Sequence, residues 1–423
     1  MSKPKKATKV DFIKEYLTDY VAFRLRHDLI TDKLQIFDEN QSWRELTKKD
    51  INTIVCECAT LSGMNITDRE VRCVLNSDFV PSVHPLRDYI DSLIPFDPDF
   101  GVDWIDKLAA QVHVTSDQTR WQKVFKKWFV AMVASWLDDN IVNQHVLVLI
   151  GKQGIYKTTW LEHLLPPELR AYGSKLTNLH DLSKDDRLRL AECALINIDE
   201  MDALTNRELN QMKSVITSAD VNERAAYAYS KERRFRLASF CASGNKREFL
   251  TDTTGNRRWL PFEVESIDSP FDNAVQPYKF YYAQAKYLIE QGFNYWFDTN
   301  DVRALEQHTD SFRNITPEEQ LLPIYYTPTT LDDTNAVFRT TAEIAANLAW
   351  RGNIRNPMGL AALGRILAAK GFTQRRLPHG GARGYVVIEH QRNIVEDQQK
   401  IQQLKDEEYA NSVPEVPEVP AVF

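Results

Sequence analysis

Long apolar runs are missing from this sequence. Nowhere in its 423 residues do about 18 uncharged apolar positions follow one another, so no segment is expected to span a membrane. The basic start, MSKPKKATKV, has no apolar stretch behind it and does not read as a secretion signal. Cysteine is scarce and irregularly spaced. Cys56, Cys58, Cys73, Cys193 and Cys241 make an odd count without framework spacing, which argues against a disulfide scaffold. The Cys56-Glu57-Cys58 pair is too tight for the usual zinc spacing, and no second CxxC or HxxxH follows it. The five read as reduced, buried thiols of a soluble, cytoplasmic protein. An excess of positive charge is also missing. At a formal net charge of −7 the chain is no simple basic nucleic-acid binder, and any such contact must come from a local patch.

What is present fits two or three domains with real cores, since 43% of the residues are hydrophobic. Residues 1–119 read as a mainly helical region with a loop or hairpin near 33–43. Thr67-Asp68-Arg69-Glu70 forms a capping box before an apolar run, and Pro81, Pro85, Pro95 and Pro98 punctuate the exit. Residues 120–265 read as an α/β core. Val124, Phe125, Trp128, Phe129, Met132 and Trp136 form a helical stripe. Short buried runs at 145–150, 194–198 and 237–242 read as parallel strands, with helices at 158–165 and 206–215 between them. A helical extension is expected at 266–330, with a loop containing Pro323 and Pro328. A small module follows at 331–392, then a charged, Pro-rich tail at 393–423 that cannot bury a core.

Four signals in order point to nucleotide chemistry. The first is Gly151-Lys152-Gln153-Gly154-Ile155-Tyr156-Lys157-Thr158-Thr159, set between a strand and a helix as a phosphate loop requires. Its backbone N–H groups would face phosphates. Lys157 would neutralise the β- and γ-phosphates and Thr158 would bind Mg²⁺. The pattern G-x-x-x-x-G-K-[ST] wants glycine where Tyr156 stands, so the backbone there must keep φ negative or tolerate strain. The second signal is a strand delivering Asp199 and Glu200, suited to hold Mg²⁺ and to activate water. The third is a strand ending Ser243-Gly244-Asn245, which would place the Asn245 amide near the γ-phosphate. The fourth is Thr254-Gly255-Asn256-Arg257-Arg258, whose twin arginines suit a finger reaching a neighbouring subunit.

The wording of these motifs across 146–264 resembles the virulence-associated E family, phage and mobile-element proteins similar to superfamily three helicases within the AAA+ group. The resemblance rests on 151–159, 197–202, 240–245 and 254–262 and extends loosely upstream through His84-Pro85-Leu86-Arg87-Asp88-Tyr89. It implies an ATP-driven ring, often a hexamer, that acts on DNA in replication of a mobile element. It carries over Lys157 and Thr158 as nucleotide ligands and Asp199 and Glu200 as metal and water residues, while Tyr156 departs from the family's usual glycine; the loop itself offers Gly151, Gly154, Tyr156 and Thr159 as further nucleotide contacts and Thr158 as a metal ligand. Asn245 becomes the sensor and Arg257 or Arg258 the finger. A primase, often fused upstream in this group, would here be a separate chain.

DNA is expected at two places. The interval 222–236 holds five basic residues with interleaved tyrosines, including Arg224, Tyr227, Lys231, Arg233 and Arg234. In helicases similar to this family the same interval forms a hairpin facing the ring's channel, where cations follow phosphates and aromatics stack on bases. The second place is the module near 338–390, where helix, helix and hairpin resemble a winged helix. Arg351, Arg355, Arg365, Lys370, Arg375, Arg376 and Arg383 there outweigh Glu343 and Glu389. The competing reading is an ATP-switched assembly or regulatory protein that recruits partners without unwinding anything.

Overall fold

A computed structural model describes residues 8–21, 24–39, 41–176, 184–223, 232–250, 256–269, 276–377 and 381–390, without the side chains of 184, 185, 206, 222, 223, 232 and 233. The chain divides into two compact units, Met1–Arg313 and Asn314–Phe423. The architecture is mixed α/β with a largely parallel central sheet in the first unit.

The first unit opens with helices Lys9–Tyr20, Lys48–Ser62 and Asp68–Leu75. Each starts at a capping box, with Thr8 paired to Asp11, Thr47 to Asp50 and Thr67 to Glu70. Between them lies a four-stranded sheet in the order Trp43–Glu45, Lys33–Phe37, Leu25–Asp28, Ser82–Val83. Lys33–Phe37 and Trp43–Glu45 form the hairpin expected near 33–43. Leu25–Asp28 and Ser82–Val83 make the region less helical than the sequence suggests, and strands of four and two residues are too short to display a clear period of two. Asp28 pins this sheet to the core. Fully buried, it accepts hydrogen bonds from the Ile30 N–H, the Thr31 hydroxyl, the Gln35 amide and, at 2.9 Å, the Tyr172 hydroxyl.

In chain order the central strands, with a hairpin inserted among them, are β1 (Val112–Val114), β2 (Val146–Ile150), β3 (Gly173–Leu176), β4 (Leu195–Ile198), β5 (Asp220–Glu223), β6 (Glu232–Phe235), β7 (Ser239–Gly244) and β8 (Trp259–Ile267). The sheet order is β1-β8-β2-β7-β4-β3. All neighbours run parallel except β1, which is antiparallel to β8. Every residue of β2 and β4 is buried, as strands covered on both faces must be. Leu147 and Leu149 enter one core, while Val146, Val148 and Ile150 enter the other.

The first core is organised by helix α1 (Gln118–Leu137), capped by Asp117. Its buried surface is wider than a stripe. From Lys127 to Trp136 every residue is buried, because the sheet lies on one side and helix Tyr278–Glu290 on the other. Trp136 stacks on Tyr282 and Trp121 meets both Trp160 and Phe262. Helix α2 (Lys157–Glu162) follows β2, and α3 (Asn206–Thr217) precedes the β5–β6 hairpin.

The second unit holds helix Pro317–Tyr325, two helices Thr341–Gly352 and Leu360–Ala369, and a sheet in which Arg383–Glu389 pairs with Tyr326–Pro328, Ala336–Thr340 and Gln374–Arg376. Thr340 and Glu343 form the expected capping box. Pro323 lies inside helix Pro317–Tyr325 rather than in a loop. It sits in the last turn, where it forfeits a single backbone hydrogen bond. Among the described residues no helix is long and apolar enough to cross a membrane.

Candidate functional site

The residues of the first three signals lie at the carboxyl end of the parallel strands, the end where open α/β sheets place their ligands. Strand β2 stops at Ile150, and the loop 151–156 then turns into α2. Gly151 is obligatory, because a Cβ there would sit 2.6 Å from the Val264 carbonyl oxygen. Gly154 has φ +86°. Tyr156 does not keep φ negative. It adopts φ 64°, ψ 15°, the left-handed conformation of the glycine it replaces, and caps α2 without any side-chain hydrogen bond to the helix. A bulky residue in that region is strained.

Lys157 is 7% exposed. Its ammonium donates to the carbonyls of Gly151 at 2.7 Å and Lys152 at 2.6 Å, and to Asn245 Oδ1 at 3.3 Å. Burial lowers its pKa, while the Asp202 and Asp199 carboxylates act in the opposite direction. Three oxygens meet between the start of α2 and the tips of β4 and β7. The Thr158 hydroxyl donates to Asp199 Oδ1 at 3.2 Å, the Ser243 hydroxyl donates to the same oxygen at 2.7 Å, and the two hydroxyls are 3.0 Å apart. Glu200 is exposed beside them with φ 53°, also left-handed. The whole lines a cavity of about 350 Å³ that includes Gly154, Tyr156, Thr159, Glu200 and Asn245.

This geometry brings together all the expected loop residues with Asp199, Glu200 and Asn245. Two neighbours were not singled out by the sequence reading. Ser243 is the serine at the carboxyl end of β7, and Asp202 follows Asp199 by one turn. Asp202 accepts the backbone N–H groups of Asn245 at 3.1 Å and Lys246 at 3.2 Å. Among the described residues no three His, Cys, Asp or Glu side chains converge as a metal site. The Thr158, Ser243 and Asp199 oxygens suit a hard cation that keeps waters and phosphate oxygens as its other ligands.

Arg257 and Arg258 lie elsewhere. They precede β8, whose register on β2 runs from Trp259 opposite Val146 to Glu263 opposite Ile150. They therefore stand at the opposite edge of the sheet, roughly 16 Å from the loop. There they flank His145, whose pKa falls to about 4 through burial and the nearby Arg258 and Arg257 charges.

The β5–β6 hairpin is antiparallel. Arg224, Tyr227 and Lys231 lie outside the described residues, and Arg233 is described by its backbone alone. Arg234 turns inward, donating to Glu192 at 2.8 Å and to the Ile30 carbonyl. Arg236 is buried at 2% exposure. It donates to the Asn143 carbonyl at 2.5 Å and the Val215 carbonyl at 3.2 Å, while its Nε has no partner. In the second unit Arg375, Arg376 and Arg383 are exposed on one hairpin, with Arg376 opposite Arg383.

Fold and site together define a mixed α/β protein with a lysine-bearing, glycine-containing loop at the carboxyl edge of a parallel sheet. The chain belongs to the virulence-associated protein E-like family, whose family model matches residues 99–314. Among solved structures it is similar to the apo C-terminal region (305–718) of NrS-1. Identity is 12% and the TM-score 0.46, over 91% of this chain and 100% of that one. The A form of the same region matches at 12% identity and a TM-score of 0.45, over 91% and 100%. No curated protein matches the chain.

Proposed function

We propose that this chain is a DNA-dependent ATPase of AAA+ type, a helicase-like motor that works as a hexameric ring in replication of a phage or mobile element. The observation that carries this reading is the convergence of Lys157, Thr158, Asp199, Ser243 and Asn245 on one cavity. Buried Lys157 supplies a cation for the β- and γ-phosphates, and the loop 151–156 supplies backbone donors. Thr158 and Asp199 would hold Mg²⁺, which supplies charge neutralisation on the phosphates when bound. Glu200 orients and deprotonates the attacking water, and Asn245 fixes it near the γ-phosphate. Arg257 and Arg258 serve a neighbouring subunit's cavity. The hairpin 220–235 and the exposed arginines of the second unit, read as a winged helix, contact DNA.

The test is the rate of ATP hydrolysis with and without single-stranded DNA, for wild type and Lys157→Ala. Stimulation by DNA and loss of turnover in the variant are expected. Turnover in Lys157→Ala equal to wild type removes the nucleotide site. Hydrolysis indifferent to DNA instead favours an ATP-switched assembly protein.

A further inference from the structure

We propose that Asp202 is a positioning residue that fixes Glu200 and Asn245 relative to one another across the cavity. The inference rests on the ATPase reading and deepens it. Asp202 lies in the turn after β4, and its two carboxylate oxygens receive consecutive backbone N–H groups at the tip of β7, Asn245 on Oδ1 and Lys246 on Oδ2. One side chain thus bolts together the tips of two adjacent strands. With both oxygens engaged by backbone donors, its role is to hold rather than to ligate.

Three further features serve the same clamp. Gly244 has no room for a side chain, since a Cβ would come 2.9 Å from Asp202 Oδ1 and 2.9 Å from Ile150 Cδ1. Met201, next to Asp202, is fully buried and anchors the turn from below. The turn closes on itself through the Ala203 N–H to the Glu200 carbonyl at 2.9 Å. Glu200 between them is left-handed, a conformation that persists in a non-glycine residue where surroundings over-determine it. Asp202, Met201 and the end of β4 are those surroundings. Removing the carboxylate frees the Asn245 backbone and lets Glu200 relax, while leaving the loop 151–156 in place.

The experiment uses Asp202→Ala and Asp202→Asn in the full chain. Affinity for a non-hydrolysed ATP analogue should stay within about threefold of wild type, while kcat falls at least about tenfold. Asp202→Asn should be intermediate, since its amide keeps an acceptor for one N–H only, and it carries the test where Asp202→Ala does not fold. Asp202→Ala combined with Asn245→Ala should lose little more than the worse single change, because both act through one arrangement. Independently of turnover, hydrogen exchange at the Asn245 and Lys246 amides should quicken in Asp202→Ala. Unchanged exchange at those amides, or a kcat within about twofold of wild type, overturns the clamp. If wild type hydrolyses no ATP, the ATPase reading falls and the exchange measurement still decides the clamp.

Discussion

The hydroxyl of Ser243 donates a 2.7 Å hydrogen bond to Asp199 Oδ1, linking the tips of two neighbouring parallel strands, β7 and β4. Thr158 donates to the same oxygen from the start of α2. Three elements distant in sequence therefore place one carboxylate, and the hydroxyls are spaced to share it. Ser243→Ala removes the shorter bond and leaves Asp199 held by Thr158 and its own chain. The Mg²⁺ concentration that gives half-maximal ATP hydrolysis should rise on the order of tenfold, with the maximal rate less affected. A titration of activity against Mg²⁺ checks this. An unchanged midpoint would separate Ser243 from the metal.

Tyr156 carries strain that can be measured without any ligand. At φ 64° a glycine costs nothing sterically, whereas a side chain does. Tyr156→Gly should stabilise the protein by about 0.5–1 kcal/mol in chemical denaturation, the relief of strain outweighing the freedom gained by the unfolded chain. Tyr156→Val should be destabilising, because a β-branched residue tolerates this region worst. The reverse order would mean that contacts of the tyrosine ring exceed the cost of its backbone.

His145 gives the stability a defined pH dependence. Its side chain packs against Phe297 at 4.4 Å, with Arg257 and Arg258 nearby, and its pKa is lowered from 6.5 to about 4. Folding therefore favours the neutral ring. The contribution is fully present above pH 6.5 and is lost as pH falls from there toward about 4. The loss should be on the order of 2–3 kcal/mol. His145→Gln should flatten that part of the curve of unfolding free energy against pH. A curve that keeps its slope would assign the acid sensitivity to other groups.

Much of this site is legible in the sequence because its parts are local. A buried valine-rich strand running into a glycine-bearing loop and Lys157-Thr158 is contiguous, and so are Asp199-Glu200 and Ser243-Gly244-Asn245. Sheet order is not local, so the placing of Ser243 beside Asp199 and of Asp202 beneath Asn245 could not be read. The left-handed backbone of Tyr156 was posed by the sequence as an alternative, and tertiary context decided it. Arg234 shows the limit of composition. Within a basic, tyrosine-rich interval it reads as a phosphate contact, yet it pairs with Glu192 inside the protein. Of the short strands in the first hundred residues, the hairpin of Lys33–Phe37 and Trp43–Glu45 is announced near 33–43, whereas Leu25–Asp28 and Ser82–Val83 escape because two to four residues signal less than helix caps such as Thr47 and Thr67.

Arg257 and Arg258 test the ring itself. They stand at the edge of the sheet opposite the loop, with the five paired residues of β2 between them and Gly151. An extended arginine side chain cannot cover roughly 16 Å through a packed sheet. A catalytic role for either arginine therefore requires the cavity of another subunit. Changing both to alanine should leave binding of a non-hydrolysed ATP analogue nearly intact and lower hydrolysis by a factor on the order of a thousand. Mixing this double variant with Lys157→Ala protein is the decisive measurement. Each is inactive alone, but in a mixed ring the arginines of a Lys157→Ala subunit can enter the intact cavity of its neighbour. Hydrolysis should partly return on mixing. If the two variants co-assemble by light scattering and no activity returns, the arginines do not act between subunits, and the ring motor loses its mechanistic basis.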